Sequence, residues 1–431
     1  MVKTASHRTV AGFSRLLFGI GMRYAVFCHF FFTFLRGERS GRDLFILLRR
    51  LQAFTARFKT SKFVRFNRGV RMGLYIPTFP GKPFLRASEN MCSGLSARLV
   101  AAVVSVTDEC PFSCDYCYQR LDKGDLLPLE ALLRTVSAMQ QHGVALFVLE
   151  GGEPFASFER LQAVCGAIDD RSEVWINTTG AYLTRERLLA LRGRGLTALK
   201  ISVHHATAEG HNRFLGSSTA WESTMNAIAL CRECAIPFAF NCRMTPEHYY
   251  DGSMEAMLSL ARDKGAHFVQ FITPRSAGGN IGRESISLAP GELQKLGSFI
   301  RAFNRGRANR SFPSIFFDEY DERVIFGCTA GAMRCYLNAQ GEVQPCQHIN
   351  VTFGNVAQEP FSAIYSRMGP LFRRPGRCTA CTNVASSVAR HYATGMKLPI
   401  PFACFEREWR AMSWGDFCAA PSSRNGGADH E

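Results

Sequence analysis

Short apolar runs alternate with longer helical patterns between residues 99 and 274. Six runs are rich in β-branched or aromatic residues: 99–106, 145–150, 173–178, 198–203, 238–244 and 267–272. The segments between these runs place apolar residues at helical spacing. Apolar strands separated by helices are typical of a parallel sheet. The pattern therefore predicts an α/β fold, a partial (βα)6 TIM-like barrel over residues 99–290, with functional loops after the strand C-termini.

The first hundred residues follow a different pattern. Residues 17–35 are almost entirely apolar and approach the length of a bilayer span. Arg23 argues against simple insertion, at a cost of roughly 2.5–3.5 kcal/mol if it lay centrally. In residues 41–58 an apolar stripe recurs at helical spacing, formed by Leu44, Leu47, Leu48, Leu51 and Phe58, with Arg49, Arg50 and Arg57 between them. Two interpretations stay open: a helix in a membrane interface, or an extra helix packed on the body with its arginines in solvent.

The net charge of +15 belongs to this N-terminal part, because residues 1–100 hold 18 Lys or Arg against three acids. Residues 1–98 are therefore predicted to form a basic, partly amphipathic helical extension that could meet anionic lipid, nucleic acid or an acidic partner. No nucleic-acid-binding module is recognisable. Arg23 and His29 interrupt the apolar stretch, and no secretory cleavage site follows. These features predict a cytoplasmic protein and leave membrane association through the extension open.

The C-terminal part has little periodicity. Residues 291–418 read as a linker, with a helix near 290–304, followed by a region rich in cysteine and turns whose shape should depend on metal. The tail, residues 419–431, has nothing to bury and is predicted to be disordered. The 16 cysteines fit metal ligation in a reducing compartment better than a disulfide scaffold, since such secreted scaffolds are usually far shorter.

Three cysteines directly follow the first barrel strand. Cys110, Cys114 and Cys117 have C-x3-C-x2-C spacing on one loop. Three thiolates can each bind one iron of a cubane and leave the fourth iron open to a small chelating molecule. A single zinc ion is the alternative, but structural zinc takes four ligands and no fourth Cys or His lies at the customary spacing. The loop therefore predicts an iron–sulfur site.

A glycine-rich motif follows the second strand: Gly151, Gly152, Glu153 and Pro154. Glycines let a backbone approach a ligand closely, and the Glu153 carboxylate can accept hydrogen bonds from a cation. Alone the motif would be a weak turn signal. One strand after the cysteine loop, it strengthens the prediction of a cofactor site.

These two motifs resemble the radical S-adenosylmethionine (SAM) superfamily, whose signature C-x3-C-x-aromatic-C is matched by Cys110, Cys114, Tyr116 and Cys117. The resemblance implies a [4Fe–4S] cluster on the cysteines and SAM on its open iron. It implies reductive cleavage of SAM to a 5′-deoxyadenosyl radical that abstracts hydrogen from a substrate. It also implies Tyr116 beside the adenine, the GGEP motif at the SAM amino group, and a low-potential electron donor, flavodoxin or ferredoxin.

Later strand ends carry less specific candidates. By the same resemblance, Asn177 and Ser202 would face the SAM ribose and methionine, and Arg213 would lie near the SAM carboxylate. Helix capping is an equal alternative for the two polar residues, because Ser and Asn commonly cap helices in βα loops.

A second cysteine group lies downstream. Cys328 and Cys346 flank a turn-forming sequence at residues 338–343, and Cys378 and Cys381 form a C-x2-C pair. Four thiolates from a hairpin and a loop can close a complete site. The arrangement resembles the SPASM/twitch auxiliary-cluster region that follows many radical SAM barrels.

The match to the fuller SPASM pattern is incomplete, because no cysteine lies between Cys381 and Cys404. We therefore expect one auxiliary [4Fe–4S] cluster, with Cys335 and Cys404 as reserve ligands and structural zinc as the alternative. The other cysteines are predicted to be packing residues: Cys28, Cys92, Cys165, Cys231, Cys234, Cys242 and Cys418.

The substrate is not identified by these patterns. A peptide is one candidate, as the common substrate of SPASM-bearing relatives, and a lipid or other membrane-associated molecule is the other, suggested by residues 15–71. A non-catalytic electron carrier or a zinc-binding interaction protein is the alternative class. The GGEP motif argues against both, because neither needs a site for the SAM amino group.

Overall fold

The computed structural model describes residues 9–58, 61–67, 69–92, 98–122, 124–283, 289–321, 327–372 and 380–411. The helices are α1 (Gly12–Leu35), α2 (Gly41–Arg57), α3 (Lys82–Cys92), α4 (Leu129–Gln141), α5 (Phe158–Ala167), α6 (Arg185–Gly193), α7 (Ala208–Leu215), α8 (Ala220–Glu233), α9 (Pro246–Tyr250), α10 (Ser253–Lys264), α11 (Pro290–Arg305), α12 (Asp318–Asp321), α13 (Phe361–Met368), α14 (Ala380–Ala393) and α15 (Phe402–Ala411). The strands are β1 (Thr9–Val10), β2 (Phe63–Phe66), β3 (Gly69–Arg71), β4 (Ala101–Ser105), β5 (Leu146–Glu150), β6 (Glu173–Thr178), β7 (Leu196–Ser202), β8 (Phe238–Arg243), β9 (Phe268–Ile272), β10 (Ser314–Phe317), β11 (Arg334–Leu337), β12 (Val343–Gln344), β13 (Val351–Thr352) and β14 (Ile400–Pro401).

The largest sheet contains the six predicted barrel strands, β4 to β9, in consecutive order. Neighbouring strands are parallel, with Ser105 opposite Glu150 at one end of the β4–β5 pair. Helices cover the outer side of the sheet, and the strand residues are buried on both faces, as expected for a parallel sheet. The predicted α/β barrel is confirmed.

The sheet extends beyond the predicted boundary at residue 290. Strand β10 adds to β9 and strand β11 adds to β4, both in parallel, and β12 completes an order of β10-β9-β8-β7-β6-β5-β4-β11-β12. The predicted helix near 290–304 is α11, and the predicted turn at 338–343 joins β11 to β12 as an antiparallel hairpin. Residues that were predicted to form a linker and an auxiliary region therefore complete the sheet. The sequence pattern did not predict these strands because a run as short as β10 has little periodicity.

The N-terminal extension is more than a helical arm. Strands β1, β2 and β3 form an antiparallel sheet that lies between α1 and the barrel. On one side, Phe66 stacks on the barrel residue Trp175 at 5.4 Å between ring centroids. On the other side, Phe63 meets Phe18 of α1 at 5.7 Å. Phe66 also meets Phe268, the first residue of β9, at 6.2 Å between ring centroids, so the small sheet fills the N-terminal end of the barrel.

Some of the basic residues of the extension are structural. Arg71 is fully buried and donates hydrogen bonds to the Glu173 carboxylate and to the Leu74 carbonyl. The Lys62 ammonium donates to the carbonyls of Asn309 at 2.8 Å and Phe312 at 3.1 Å, just before β10. A buried charge needs such partners, so these two residues fasten the extension to the barrel.

Helices α1 and α2 expose different amounts of apolar surface. The stripe of α2 faces the body, with Leu44, Leu47, Leu51 and Phe58 buried. The interpretation of this segment as an extra helix packed on the body is therefore confirmed. Helix α1 buries one face and exposes the other. Within the described ranges, α1 alone is long and apolar enough to cross a membrane by length and composition.

Two earlier predictions fall outside the described residues: the auxiliary ligand Cys378 and the disordered tail, residues 419–431, with Cys418 just before it. Among the described cysteines, the packing role is confirmed for five, which are buried: Cys92, Cys165, Cys231, Cys234 and Cys242. Cys28 is only partly buried, on α1.

Candidate active site

A cavity of about 200 Å³ opens at the C-terminal ends of the barrel strands, where the fold predicted a site. It brings together most of the residues proposed from the sequence: Cys114, Tyr116, Cys117, Gly151, Gly152, Asn177 and Ser202. They come from the loops or ends of β4, β5, β6 and β7, so the parallel sheet gathers segments that are far apart in sequence.

The cysteine loop is held in tight turns. The Cys117 amide donates to the Cys114 carbonyl at 3.2 Å, and the Arg120 amide donates to the Cys117 carbonyl at 3.2 Å. Cys110 lies at the exposed end of the loop. Burial, together with the two neighbouring thiols, raises the pKa of Cys114 to about 12. Its thiolate therefore needs a positive charge such as iron beside it.

The glycines of the GGEP motif pack against this loop. A Cβ on Gly151 would lie 2.3 Å from the Thr107 carbonyl oxygen, and one on Gly152 would lie 2.2 Å from the Glu109 carbonyl oxygen. The Glu153 amide donates to that same Glu109 oxygen at 2.6 Å. The glycines are required here because the chain that leads into Cys110 passes directly over them.

A second glycine pair supports the loop from the other side and was missed in the sequence. A Cβ on Gly278 would lie 2.2 Å from the Tyr118 carbonyl oxygen, and one on Gly279 would lie 2.3 Å from that of Asp115. The Gly279 amide also donates to the Cys117 carbonyl at 3.0 Å. The available signal was a pair of glycines soon after the sixth barrel strand, β9.

Glu153 does not face the cavity. Its carboxylate is fully buried and accepts hydrogen bonds from the Thr178 hydroxyl at 2.7 Å and from the Thr179 amide at 2.8 Å. Pro154 is buried behind it. The part of the GGEP motif that lines the cavity is Gly151 and Gly152, so Glu153 holds the loop after β6 against the motif.

Arg213 also lies outside the cavity. Its side chain is 74% exposed and pairs with Glu209 one turn earlier on α7, so the assignment of Arg213 to the SAM carboxylate lacks structural support. The arginine beside the cysteine loop is Arg243, at the end of β8. Its guanidinium lies 4.7 Å from the centre of the Tyr116 ring and donates to the Tyr116 carbonyl at 2.6 Å.

Arg243 remains a cation in this setting. Burial lowers its pKa to about 10, and the nearby Tyr116, Cys117 and Cys114 side chains oppose that shift. Tyr116 is fixed from its other side by stacking on Phe214 at 5.7 Å. Sequence reasoning overlooked Arg243 because β8 reads only as an apolar strand, although its position at a strand end was a usable signal.

Deeper in the cavity lies a pair of opposite charges. Burial raises the pKa of Glu150 to about 7 and lowers that of Lys200 to about 8, while each charge favours the ionised form of the other. Asn177 donates to Glu150 at 2.6 Å, and the Tyr118 hydroxyl also contacts this carboxylate. Both charged residues lie within predicted strands, and the strand pattern alone does not indicate that ionisable groups belong to the site.

Several buried polar atoms along the cavity have no hydrogen-bond partner among the described residues: Asn177 Oδ1, Asn241 Oδ1 and Arg243 Nε. Such atoms cost about 1–3 kcal/mol each when unpaired, so they suit a polar ligand. The cavity therefore fits a thiolate-bound cluster and a small molecule with charged groups. No three His, Cys, Asp or Glu side chains in the described ranges converge on one metal ion. A cubane does not require this, because each thiolate binds a different iron.

The second cysteine group is partly described. Cys328 precedes β11, Cys346 follows β12, and Cys381 lies in the first turn of α14. The Gly331 amide donates to the Pro345 carbonyl at 2.9 Å, which brings the chain next to Cys328 close to the chain next to Cys346. Of the reserve ligands, Cys335 is fully buried in the main core and Cys404 is exposed on α15.

Comparisons with known proteins agree with this site. Residues 104–261 match the Radical SAM superfamily, and residues 328–383 match SPASM, an iron-sulfur cluster-binding domain. The chain is 24% identical to the AdoMet-dependent heme synthase of Methanosarcina barkeri over 309 residues, 64% of this chain and 86% of that protein. It is 26% identical to the PqqA peptide cyclase of Gluconobacter oxydans over 302 residues, 65% of this chain and 82% of that protein.

A solved structure shows the same fold. Streptococcus suis SuiB bound to precursor peptide SuiA superimposes with a TM-score of 0.52 at 12% identity, over 65% of this chain and 69% of that chain. The protein is a member of the radical SAM superfamily with a C-terminal SPASM domain, and it is an enzyme. Its cofactors are a [4Fe–4S] cluster and SAM, with further iron–sulfur at the SPASM domain. This favours iron–sulfur over zinc for the auxiliary site.

Proposed function

We propose that the enzyme cleaves SAM reductively at a [4Fe–4S] cluster held by Cys110, Cys114 and Cys117, and that it modifies a peptide. When bound, the cluster and SAM supply a 5′-deoxyadenosyl radical that abstracts a hydrogen atom from the substrate. The proposal is supported above all by one observation: two of the three cysteines and three unpaired polar atoms from strands β6 and β8 line a single cavity.

The protein's own residues bind and orient. Gly151 and Gly152 place their backbone beside the cysteine loop, close to where a SAM amino group would lie. Asn177 Oδ1 is an open acceptor for such a group, and Arg243 Nε is an open donor for a carboxylate. Tyr116, held between Arg243 and Phe214, presents its ring to the cavity and suits the adenine. Ser202 lines the same wall and remains a candidate for the ribose or methionine.

The auxiliary site is proposed to hold one [4Fe–4S] cluster on Cys328, Cys346, Cys378 and Cys381. Support comes from the hairpin that brings the chain near Cys328 and Cys346 together and from the SPASM match over residues 328–383. Four thiolates complete the coordination of a cubane, so this cluster would have no open iron. Three roles stay open for this cluster: it binds the substrate, it accepts the electron from the product, or it stiffens the fold.

A peptide is the favoured substrate. A relative with 26% identity is named a peptide cyclase, and the cavity opens at the strand C-termini, where Tyr75 is the one described lining residue from the N-terminal extension. A membrane-borne substrate is the second candidate, favoured by the apolar side chains that α1 exposes. We further propose a cytoplasmic enzyme that receives electrons from flavodoxin or ferredoxin.

Formation of 5′-deoxyadenosine tests the reaction. Anaerobically reconstituted enzyme with SAM and dithionite should release 5′-deoxyadenosine, and Cys114→Ala should reduce it to background. Cys28→Ala is the matched control, because Cys28 lies on α1 and should leave the rate unchanged. Iron and sulfide are quantified on the same samples. Unchanged product in Cys114→Ala, or zinc as the sole bound metal, would contradict the proposal.

The substrate class is tested with fractionated extracts of the source cells. The rate of 5′-deoxyadenosine formation is measured with a peptide fraction and with a detergent-dispersed lipid fraction. Stimulation by the peptide fraction supports a peptide substrate, and mass spectrometry then locates the modified residue. Stimulation by the lipid fraction alone would establish the second candidate instead.

A further inference from the structure

Helix α1 exposes a continuous apolar surface, here called the outer stripe. It consists of side chains spaced three or four residues apart, each between 37% and 72% exposed: Phe13, Leu17, Ile20, Tyr24, Phe27 and Phe31. No charged residue interrupts it, and it runs along most of a helix about 36 Å long. The stripe exposes on the order of 600 Å², at roughly 150–250 Å² for each fully exposed aromatic side chain. This is the size of the largest apolar patch on a typical soluble monomer, about 300–600 Å², before Leu16, Leu35 and Phe45 are added.

The opposite face of α1 is fixed to the body along its length. Met22, Val26 and Phe30 are buried in the core formed with the small sheet. Near the start of the helix, the Arg15 guanidinium donates to the Phe58 carbonyl at 2.8 Å and lies 4.2 Å from the centre of the Phe63 ring. After its end, Arg39 pairs with Glu89 of α3 at 2.6 Å. The helix axis therefore lies along the protein surface, and crossing a bilayer would require all these contacts to break.

We propose that the outer stripe docks on an anionic phospholipid bilayer, with α1 lying in the plane of the interface. An apolar helical face held parallel to the protein surface can enter a membrane only sideways, to the depth of its side chains. The surroundings are cationic: Arg23 lies on the same helix and the exposed arginines Arg42 and Arg49 follow on α2, while Arg36 on the adjoining turn pairs with Glu38 at 2.7 Å. Each such cation near an anionic leaflet contributes about 1 kcal/mol to attraction.

A lipid surface fits this face better than a protein does. Specific protein interfaces carry about one hydrogen bond per 100–200 Å². Along the outer stripe, Tyr24 supplies the one polar side-chain group. A tyrosine hydroxyl on an otherwise apolar face is typical of the headgroup level of a membrane. Basic flanks around an apolar stripe without orienting polar groups therefore indicate anionic lipid.

The docked orientation leaves the active site open. The sheet of β1, β2 and β3 separates α1 from the barrel, and it fills the barrel at the strand N-termini. The cavity opens at the strand C-termini. A membrane under α1 would therefore face the end of the barrel opposite the cysteine loop, and substrate would enter from the aqueous side.

Vesicle flotation with the full-length, anaerobically purified holoenzyme tests the docking. The probes are vesicles of phosphatidylcholine alone and with 30% phosphatidylglycerol. We expect the wild type to float with the anionic vesicles, and Leu17→Glu/Ile20→Glu/Phe31→Glu to lower the bound fraction at least tenfold. The matched control is Tyr182→Glu/Tyr392→Glu/Met396→Glu, three exposed apolar residues elsewhere with the same change in charge. The control should bind like the wild type, and both variants should keep the basal rate of 5′-deoxyadenosine formation.

Two further measurements distinguish docking on a lipid surface from dimerisation and from a membrane-spanning α1. Arg23→Gln/Arg42→Gln/Arg49→Gln should weaken binding to anionic vesicles about fivefold or more, and bound enzyme should transfer to a second vesicle population. Failure of the wild type to float, or equal flotation of the outer-stripe variant, overturns the proposal. So does a wild-type dimer in light scattering that the outer-stripe variant abolishes without any vesicle binding, because a second copy would then cover the face. Irreversible attachment would show that α1 spans the membrane instead.

Discussion

The two ends of the barrel differ in whether their buried polar groups have partners within the protein. At the N-terminal end, Arg71 and Glu173 are buried together as an ion pair, and Arg71 Nε is the one atom of that pair without a partner in the described part of the chain. At the C-terminal end, Asn177 Oδ1 and Arg243 Nε are buried along a cavity with no partner in the described part of the chain. The same eight parallel strands thus carry a closed end with paired charges and an end that is open at a cavity.

This difference distinguishes the structural end of the barrel from the end that carries the active site. Unpaired buried groups destabilise a fold, so the three that line one cavity indicate that a bound ligand completes their hydrogen bonds. The buried charges Arg71 and Glu173 at the other end already neutralise each other. Burial of charge alone would have marked both ends as functional, because Glu150 and Lys200 are also paired, whereas the cavity and its unpaired polar atoms distinguish the C-terminal end.

The largest effect is expected at the closed end. Arg71→Met leaves the Glu173 carboxylate buried without its cation and should lower the free energy of unfolding by about 3–5 kcal/mol. Denaturant unfolding of the holoenzyme under anaerobic conditions measures this. Adding Glu173→Gln should recover a substantial part, because the uncompensated charge is then gone. A loss below about 1 kcal/mol in the single variant would show that the two ends differ less than proposed.

At the open end, Gly152→Ala should lower the rate of 5′-deoxyadenosine formation about 100-fold. The added methyl would lie 2.2 Å from the Glu109 carbonyl, and a shift of about 1 Å in a positioned group can cost that factor. Gly193→Ala on α6 is the control, since no atom outside its own helix lies within 4 Å of the position. It should keep the wild-type rate. Similar rates in both variants would refute the role of the GGEP glycines in placing the cysteine loop.

A pH dependence is expected at the closed end. Burial lowers the pKa of Lys62 to about 8, against about 10.4 in the unfolded chain. Between these values the unfolded state binds the proton more tightly, so the stability of the wild type should rise with pH, by about 2 kcal/mol from pH 8 to 10.5. Lys62→Met cannot titrate and should show no such rise. Parallel stability curves of the two proteins over this window would contradict the assignment.

The smallest effect is expected for Arg213→Ala. Because Arg213 is exposed and pairs within its own helix, SAM cleavage and the KM for SAM should change less than twofold. Steady-state kinetics under anaerobic conditions measure both parameters. A tenfold rise in the KM for SAM would instead indicate that Arg213 binds the SAM carboxylate. It would contradict the proposal that Arg243 has this role.

Much of the fold and the centre of the site could be read from local pattern. Each barrel strand is an apolar run bounded by a helix, and the cysteine loop and the GGEP motif are contiguous in sequence. The rule that parallel strands end at one edge then placed both motifs together. The pairing of β10 and β11 with the barrel could not be read this way, because short runs depend on distant partners.

Residues that act through contacts distant in sequence also could not be predicted from the local sequence pattern. Arg213 was proposed from the sequence and Arg243 was overlooked, yet the fold brings Arg243 beside Tyr116 and leaves Arg213 exposed on α7. Glu150 and Lys200 became a buried pair because strands β5 and β7 place both side chains inside the barrel.

The sequence by itself determined the barrel, the three-cysteine loop and the class of chemistry, since spacing and periodicity act within a few residues. The tertiary structure decided which apolar face is covered. Helices α1 and α2 both carry an apolar stripe, yet the stripe of α2 is buried and the outer stripe of α1 is exposed. Periodicity marks a face as apolar, but only the packing of the whole chain determines whether protein or solvent lies against it.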